Sequence, residues 1–100
     1  MESGANHCEL TACIAELDAL RYTPAGIPAL NLRLEHNSSV LEAGQVRQVK
    51  ASLKAVALGS MAERLVSQPI GSVWKFTGFL ASTRNGKQLQ LHIQEMTLHS

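Results

Sequence analysis

The sequence has 100 residues, 45% of them hydrophobic, and a net charge of +1. This length suits one domain with a small core, and we expect a single domain over residues 1–100 with its core at about residues 6–98. No apolar run approaches the roughly 20 residues that cross a bilayer, and the start Met1-Glu2-Ser3-Gly4 lacks the features of a secretory signal. We therefore expect a cytoplasmic protein without a membrane partner.

Side chains suited to catalysis or metal binding do not form a recognisable pattern. The four histidines are scattered, and two cysteines without paired histidines do not make a zinc site. Cys8 and Cys13 are five residues apart in a predicted strand, so their thiols point to opposite faces and are expected to stay free. There is no Gly-rich phosphate loop, nucleophile elbow or pair of carboxylates. We predict a protein that is not an enzyme and has no cofactor and no metal.

Charge is distributed unevenly along the chain. Residues 1–42 contain six acidic residues against Arg21 and Arg33, a balance of −4, whereas residues 43–94 contain seven basic residues against Glu63 alone, a balance of +6. Such a separation predicts a basic stripe on one side of a nearly neutral domain, which favours a polyanionic partner. The alternative for any single lysine is a role in solubility.

The first two strands are predicted from alternation of apolar and polar residues. Cys8 to Leu17 alternates with period two, and Pro24-Ala25-Gly26 predicts a turn. In the second strand three leucines, from Leu30 to Leu34, face inward and polar residues face outward. Residues 36–46 are polar and contain glycine, so we expect an extended loop or the frayed tip of a hairpin.

The second half of the chain predicts three more strands and one helix. Val49, Ala51, Leu53 and Ala55 are expected to face inward on the third strand, with Lys50, Ser52 and Lys54 outward. Ser60 followed three residues later by Glu63 predicts a capping box and a short helix that ends before Pro69 and Gly71. Val73 to Ala81 reads as the fourth strand. Asn85-Gly86 predicts a hairpin, and Leu89, Leu91 and Ile93 are the inward residues of the fifth strand.

This order predicts a mainly β fold, a five-stranded OB-fold Greek-key barrel with one short helix between strands 3 and 4. Several blocks then resemble the bacterial single-stranded DNA-binding protein superfamily. They are Tyr22-Thr23-Pro24-Ala25-Gly26-Ile27-Pro28, Leu34-Glu35-His36, Glu42-Ala43-Gly44, Gly71-Ser72-Val73, Gly78-Phe79-Leu80, Asn85-Gly86-Lys87 and Leu91-His92-Ile93. No long acidic-tipped segment follows Met96-Thr97-Leu98-His99-Ser100, so the chain is most similar to the short primosomal branch of this superfamily.

The resemblance implies a nucleic-acid site, a homodimer and a primosomal role with a restart helicase and other primosome proteins. Positions that contact DNA in the superfamily correspond here to Arg21, Asn37, Gln45, Arg47, Lys50 and Arg84. To the basic residues of this set we add Lys54 on the third strand and Lys87 beside the last hairpin turn. The nucleic-acid-binding residues are therefore predicted to be Arg21, Asn37, Arg47, Lys50, Lys54, Arg84 and Lys87.

The chain departs from its best-known relatives in aromatic content. Those relatives have aromatic residues where this chain has Gln45 and Lys50, and core packing is expected for at least some of Trp74, Phe76 and Phe79. Tyr22 is expected to pack against Pro24. Fewer stacked bases and more phosphate contacts predict modest, salt-sensitive binding to single-stranded DNA. Two alternatives stay open: a protein-interaction module of the primosome with vestigial DNA binding, and a general or RNA-binding OB domain.

Overall fold

A computed structural model describes residues 4–99 of the chain. Of the terminal residues considered above, Met1, Glu2, Ser3 and Ser100 lie outside this part. The described residues form, in chain order, β1 (Cys8–Leu17), β2 (Arg21–Tyr22), β3 (Pro28–Glu42), β4 (Gln45–Leu58), α1 (Ser60–Val66), β5 (Val73–Ser82) and β6 (Leu89–Leu98). The two-residue strand β2, which pairs with the start of β3, was not predicted because two residues show no period.

Five of these strands close into a barrel. β1 pairs antiparallel with β5 through its first half and with β3 through its second half. β3 pairs with β4, and β5 with β6, in antiparallel ladders. A short parallel pairing of Ala55 with Leu91 and of Val56 with His92 joins β4 to β6 and completes the ring. With α1 between the third and fourth barrel strands, this topology confirms the predicted OB-fold.

The barrel interior is filled by the alternating apolar residues that the sequence pattern identified. Leu30, Leu34, Leu91 and Ile14 are completely or almost completely buried, and Leu65 of α1 closes one end of the core. Burying a large aliphatic side chain contributes about 1.5–3 kcal/mol. The inward leucines of β3 therefore fix which of its faces is left for solvent.

The three aromatic residues of β5 separate into two groups. Phe76 is fully buried and Trp74 is 8% exposed, so both belong to the core as expected. Phe79 lies at an odd separation from them and faces away from the barrel interior. It stacks on His92 of β6 instead.

Residues 36–46 form a regular hairpin, so the prediction of an irregular loop or frayed tip is wrong. β3 and β4 pair without a register break over 14 residue pairs, from Ala29 with Leu58 to Glu42 with Gln45. The turn is Ala43-Gly44, and both residues have positive φ angles. The ladder satisfies the backbone groups that a polar loop would leave to water. Ala51, predicted to face inward, is exposed because this part of β4 extends beyond the barrel.

The start of α1 also differs from the prediction. Ser60 is the first helical residue, the N-cap is Gly59 with φ 71°, and no side chain caps the helix, so the capping box is absent. The carbonyl of Gly59 instead accepts hydrogen bonds from the backbone N–H groups of Ala62 and Glu63. The N–H of Gly59 donates to the carbonyl of Pro28 at 2.8 Å, which ties the helix start to β3.

Gly78 lies where β5 and β6 change register. Thr77 is paired with Glu95 and Gly78 with Ile93, which leaves Gln94 as an extra residue on β6. A Cβ atom at position 78 would lie 1.8 Å from the carbonyl oxygen of His92. The absence of a side chain is therefore a steric requirement of the bulge.

Cys8 and Cys13 are free thiols, as predicted. Cys8 packs against the core, whereas Cys13 lies at an odd separation from it and belongs to the opposite face of β1. Within residues 4–99 no helix combines the length and hydrophobicity needed to span a membrane.

Candidate nucleic-acid interface

The hairpin of β3 and β4 presents a largely polar face on the outside of the barrel, with the buried Val56 at one end. Residues that pair directly across two strands share a face, with Cβ atoms about 4.5–5.5 Å apart. On the outer side Asn37 is opposite Lys50, Glu35 opposite Ser52, Arg33 opposite Lys54, and Asn31 opposite Val56. We call these eight residues the outer β3–β4 face. It contains three of the predicted binding residues, Asn37, Lys50 and Lys54.

Arg33 lies on the outer β3–β4 face, but its charge is already matched by carboxylates. Its guanidinium donates hydrogen bonds to Glu35 at 2.5 Å and to Glu16 at 3.3 Å. The hydrogen bonds to Glu35 and then to Glu16 raise the pKa of Arg33 above its ordinary value. Without these carboxylates, two cations directly opposite each other on neighbouring strands would destabilise the sheet. Within residues 4–99, Lys54 is therefore the cation of this pair that has no carboxylate partner.

Three open grooves run along this face and share residues. The first, of about 450 Å³, is lined by Glu35, His36, Asn37, Lys50, Ala51 and Ser52. The second, of about 160 Å³, is lined by Glu16, Asp18, Asn31, Leu32, Arg33, Lys54 and Ala55. The third, of about 380 Å³, is lined by Arg33, Ser52, Leu53, Lys54, Gln88 and Leu89. Because neighbouring grooves share Ser52 or Lys54, they offer an extended ligand one continuous path.

Arg21 joins this face from β2. Its guanidinium donates a hydrogen bond to the side-chain oxygen of Asn31 at 2.8 Å, which holds it beside the end of the path nearest Lys54. Tyr22, the next residue, is 62% exposed and pairs with Pro28 across the strands. The phenol ring is thus much more open to solvent than the predicted packing against Pro24 requires.

Arg84 and Lys87 belong to the connection between β5 and β6, residues 83–88. The predicted Asn85-Gly86 turn is present and is held by the side-chain oxygen of Asn85, which accepts hydrogen bonds from the Thr83 hydroxyl and the Lys87 N–H. This connection spans six residues instead of the two of a tight hairpin. Its last residue, Gln88, lines the same groove as Lys54. The end of this loop therefore borders the outer β3–β4 face, whereas Arg84 and Lys87 themselves line none of the three grooves.

Arg47 does not share this face. It pairs with Val40, and by strand alternation both point to the side of the hairpin opposite Lys50. Its guanidinium forms an ion pair with Glu42 at 2.8 Å. Gln45 pairs with Glu42 and lies on the same opposite side. The structure thus brings Arg21, Asn37, Lys50 and Lys54 together on one face and places Arg47 on the other side of the hairpin. That any of the predicted residues contacts DNA stays a prediction.

Five of the predicted cations have no carboxylate within ion-pairing distance among residues 4–99. They are Arg21, Lys50, Lys54, Arg84 and Lys87. Three of them, Arg21, Lys50 and Lys54, lie along the grooves of the outer β3–β4 face, where Glu16, Asp18 and Glu35 interrupt the positive charge. Asn31, Arg33 and Ser52 also lie on this face but were not among the predicted binding residues. Each is separated by an even number of residues from Glu35 or Lys54 on its strand, and this spacing is the sequence signal that places them on the same face.

His36 connects this hairpin to the barrel. It is half-buried, and its Nδ1 lies 2.6 Å from the carbonyl oxygen of Thr11 on β1, so Nδ1 carries the proton and donates. Its Nε2 lies 2.8 Å from the Ser38 hydroxyl. His36 is therefore a structural residue that fixes the base of the hairpin relative to β1.

Known proteins are similar to this chain in both sequence and fold. Residues 6–95 match the family described as "Another single-strand binding protein family". The replication restart protein PriB of Bordetella pertussis is 45% identical over 91 residues, which cover 90% of this chain and 85% of that protein. PriB of Nitrosomonas europaea is 34% identical over 90% of this chain and 84% of its own length. The structure of PriB from Ralstonia solanacearum superposes with a TM-score of 0.89 at 37% identity, covering 97% of this chain and all of the other. The chain therefore belongs to the single-strand binding protein family and, within it, to the PriB replication restart proteins.

Proposed function

We propose that this protein is a single-stranded DNA-binding accessory protein of the replication-restart primosome. In this proposal it acts as one OB domain, lays the DNA backbone along the outer β3–β4 face and works with the restart helicase during primosome assembly. The observation that carries the proposal is that Arg21, Lys50 and Lys54, none of them ion-paired within residues 4–99, lie along one path on a barrel of the PriB family.

The geometry favours a single strand because the path is a shallow surface crossed by short grooves. Its positive side chains alternate with neutral hydrogen-bonding groups such as Asn31, Asn37 and Ser52. Lys50 and Lys54 are four residues apart on one strand, a spacing of about 13 Å. A flexible strand can place successive phosphates against such a row. No aromatic residue lies on the outer β3–β4 face, so phosphate contacts supply most of the binding there.

The proposal is tested by titrating labelled oligo-dT with the double variant Lys50→Glu/Lys54→Glu. We expect at least a 100-fold loss of affinity at 50 mM salt. Lys75→Glu is the matched control, because Lys75 is on β5 and lies 3.8 Å from Glu9. Unchanged binding by the double variant would refute the proposed path. Competition between oligo-dT and oligo-U distinguishes DNA from RNA as the preferred strand.

We also propose a homodimer. The N-terminal half of β1 pairs with β5 on one side, but on the other side its pairing with β3 begins only at Cys13. On this edge of β1, before Cys13, the carbonyl oxygen of Thr11 accepts the hydrogen bond from His36. An open strand edge is a ready template for a second chain. Light scattering at micromolar concentration should give a molar mass of twice the 10.8 kDa of one chain. The variant Glu9→Pro, which lacks one backbone N–H of that edge, should have the mass of one chain.

A protein-interaction module with weak DNA binding is the second candidate. It is favoured by Glu16, Asp18 and Glu35, which place negative charge within the grooves that a phosphate backbone would follow. The two candidates differ in the behaviour of Lys50→Glu/Arg84→Glu in a helicase-stimulation assay. Loss of stimulation together with oligonucleotide binding supports DNA-based action. Full stimulation without oligonucleotide binding supports the interaction module.

A further inference from the structure

Two aromatic rings form a stacked pair on the outside of the barrel. The rings of Phe79 on β5 and His92 on β6 have centroids 4.8 Å apart and planes inclined by 13°. The two residues are paired in register across the strands, and both are half-buried. Within residues 4–99 no hydrogen bond involves the ring nitrogens of His92. The pair lies outside the core that Trp74 and Phe76 help to fill.

A groove of about 350 Å³ opens beside this pair. The other wall of the groove is apolar and is formed by Val56 and Leu58 of β4 and Met61 of α1. Since Phe79 lies on one side of β6 and Val56 on the other, the face of the His92 ring turned away from Phe79 is directed toward β4. Ser60 and Gln94 supply hydrogen-bonding groups at the edges. The groove thus combines one aromatic wall, one aliphatic wall and a polar rim.

The groove is continuous with the outer β3–β4 face. Val56 pairs with Asn31 on one side and with His92 on the other, so the three side chains form one row across the sheet. Lys54 precedes Val56 by two residues on the same face, a distance of about 7 Å. Arg21 is bonded to Asn31 in the same row. A strand whose phosphates contact Lys54 and Arg21 therefore passes the mouth of the groove.

We propose that this groove binds one nucleobase of the single strand, with the Phe79–His92 pair as its aromatic wall. The inference rests on the proposed function, because the flanking cations supply the phosphate contacts. A flat ring with a π face and hydrogen-bonding edges matches a wall of stacked rings with a polar rim, and such stacking tolerates any base sequence. The pair supplies a stacking position that the outer β3–β4 face, with Lys50 and Ser52, lacks.

The test compares oligo-dT with an abasic oligomer of the same length, which has the phosphates but no bases. We expect Phe79→Leu to weaken oligo-dT binding about 10-fold, within the range measured for single stacked bases, and to leave abasic binding unchanged. The dependence of affinity on salt should keep its slope. Ile70→Ala, which removes another exposed apolar side chain outside the groove, is the matched control and should change the affinity for neither oligomer.

A second measurement follows the site directly and does not depend on a variant. In wild-type protein the ring-proton resonances of His92 should move upfield on addition of oligo-dT, and should stay in place with the abasic oligomer. Thermal unfolding of Phe79→Leu checks that the variant is folded.

Three outcomes overturn the inference. If Phe79→Leu loses affinity equally for oligo-dT and the abasic oligomer, the substitution has distorted the path of the DNA backbone. If the variant binds both oligomers as the wild type does, the groove holds no base. A change of solution mass with Phe79→Leu, without selective loss of oligo-dT, would assign the groove to a second copy of the chain. Failure of the wild-type protein to bind either oligomer would instead refute the proposed function itself.

Discussion

Replacing Lys54 by glutamine removes one free cation from the middle of the outer β3–β4 face. Lys54 lines two of the three grooves and has no carboxylate partner among the described residues, whereas Arg33 opposite it is held by Glu35 and Glu16. Glutamine keeps most of the side-chain length and its hydrogen-bonding capacity. The variant therefore removes a charge with little other change, and the loss should appear in the salt dependence of binding.

The expected magnitude follows from the number of cations that are predicted to contact the DNA backbone. Each phosphate neutralised on a single strand contributes about 0.7 to the slope of log affinity against log salt concentration. Five contacts, from Arg21, Lys50, Lys54, Arg84 and Lys87, give a slope of about −3.5. The affinity of the wild type should then fall about 130-fold between 50 and 200 mM salt. Lys54→Gln should have a slope of about −2.8 and a fall of about 50-fold.

Fluorescence anisotropy of labelled oligo-dT over this salt range measures both slopes. Lys75→Gln serves as the control, because that lysine is on β5 and close to Glu9, and its slope should equal that of the wild type. A wild-type slope shallower than about −1.5 would mean that at most two phosphates are neutralised. In that case the five cations do not contact the DNA together, and the proposed path is wrong.

Three further substitutions test other parts of the molecule. Glu35→Gln removes the nearer of the two carboxylates that hold Arg33, and Glu16 remains; oligo-dT affinity should rise, by up to about fourfold at 0.15 M salt in the same anisotropy assay, and a decrease would mean that Arg33 does not reach the DNA. Arg47→Gln, on the opposite side of the hairpin and paired with Glu42, should change the salt slope by less than half as much as Lys50→Gln, and an equal change would show that the strand wraps both sides. Gly78→Ala forces a Cβ atom against the carbonyl of His92 and should lower the free energy of unfolding by about 1–3 kcal/mol in denaturant titrations, whereas a neutral result would show that the bulge relaxes.

Local sequence patterns determined the barrel and its order of strands. The leucines from Leu30 to Leu34, and the pair Leu91 and Ile93, alternate with polar residues because each strand has one face in the core, and this requirement is visible in a single segment. The turn at Asn85-Gly86 follows from the conformational freedom of those two residues alone. The charge imbalance between the two halves of the chain likewise needs no coordinates.

Other features depended on pairing between distant segments. Residues 36–42 have no apolar period, and they are strand only because residues 45–51 pair with them along a ladder that begins in the barrel. The same ladder separates Arg47 from Lys50 and sets Arg33 opposite Lys54. The helix start is set by Gly59, whose N–H is bonded to Pro28 more than 30 residues earlier, and a capping box was not needed.

Phe79 shows most clearly what the tertiary structure decided. Phe79 is an aromatic residue of β5, as are Trp74 and Phe76, and residue type alone predicts that all three side chains are buried. Its parity on β5 directs it outward, and only the register with β6 places His92 beside it and Val56 on the far side. The sequence by itself determined the barrel and predicted a basic side. Which charges share a path, and which aromatic ring lies next to that path, was decided by contacts between strands far apart in the chain, because such contacts leave no local pattern.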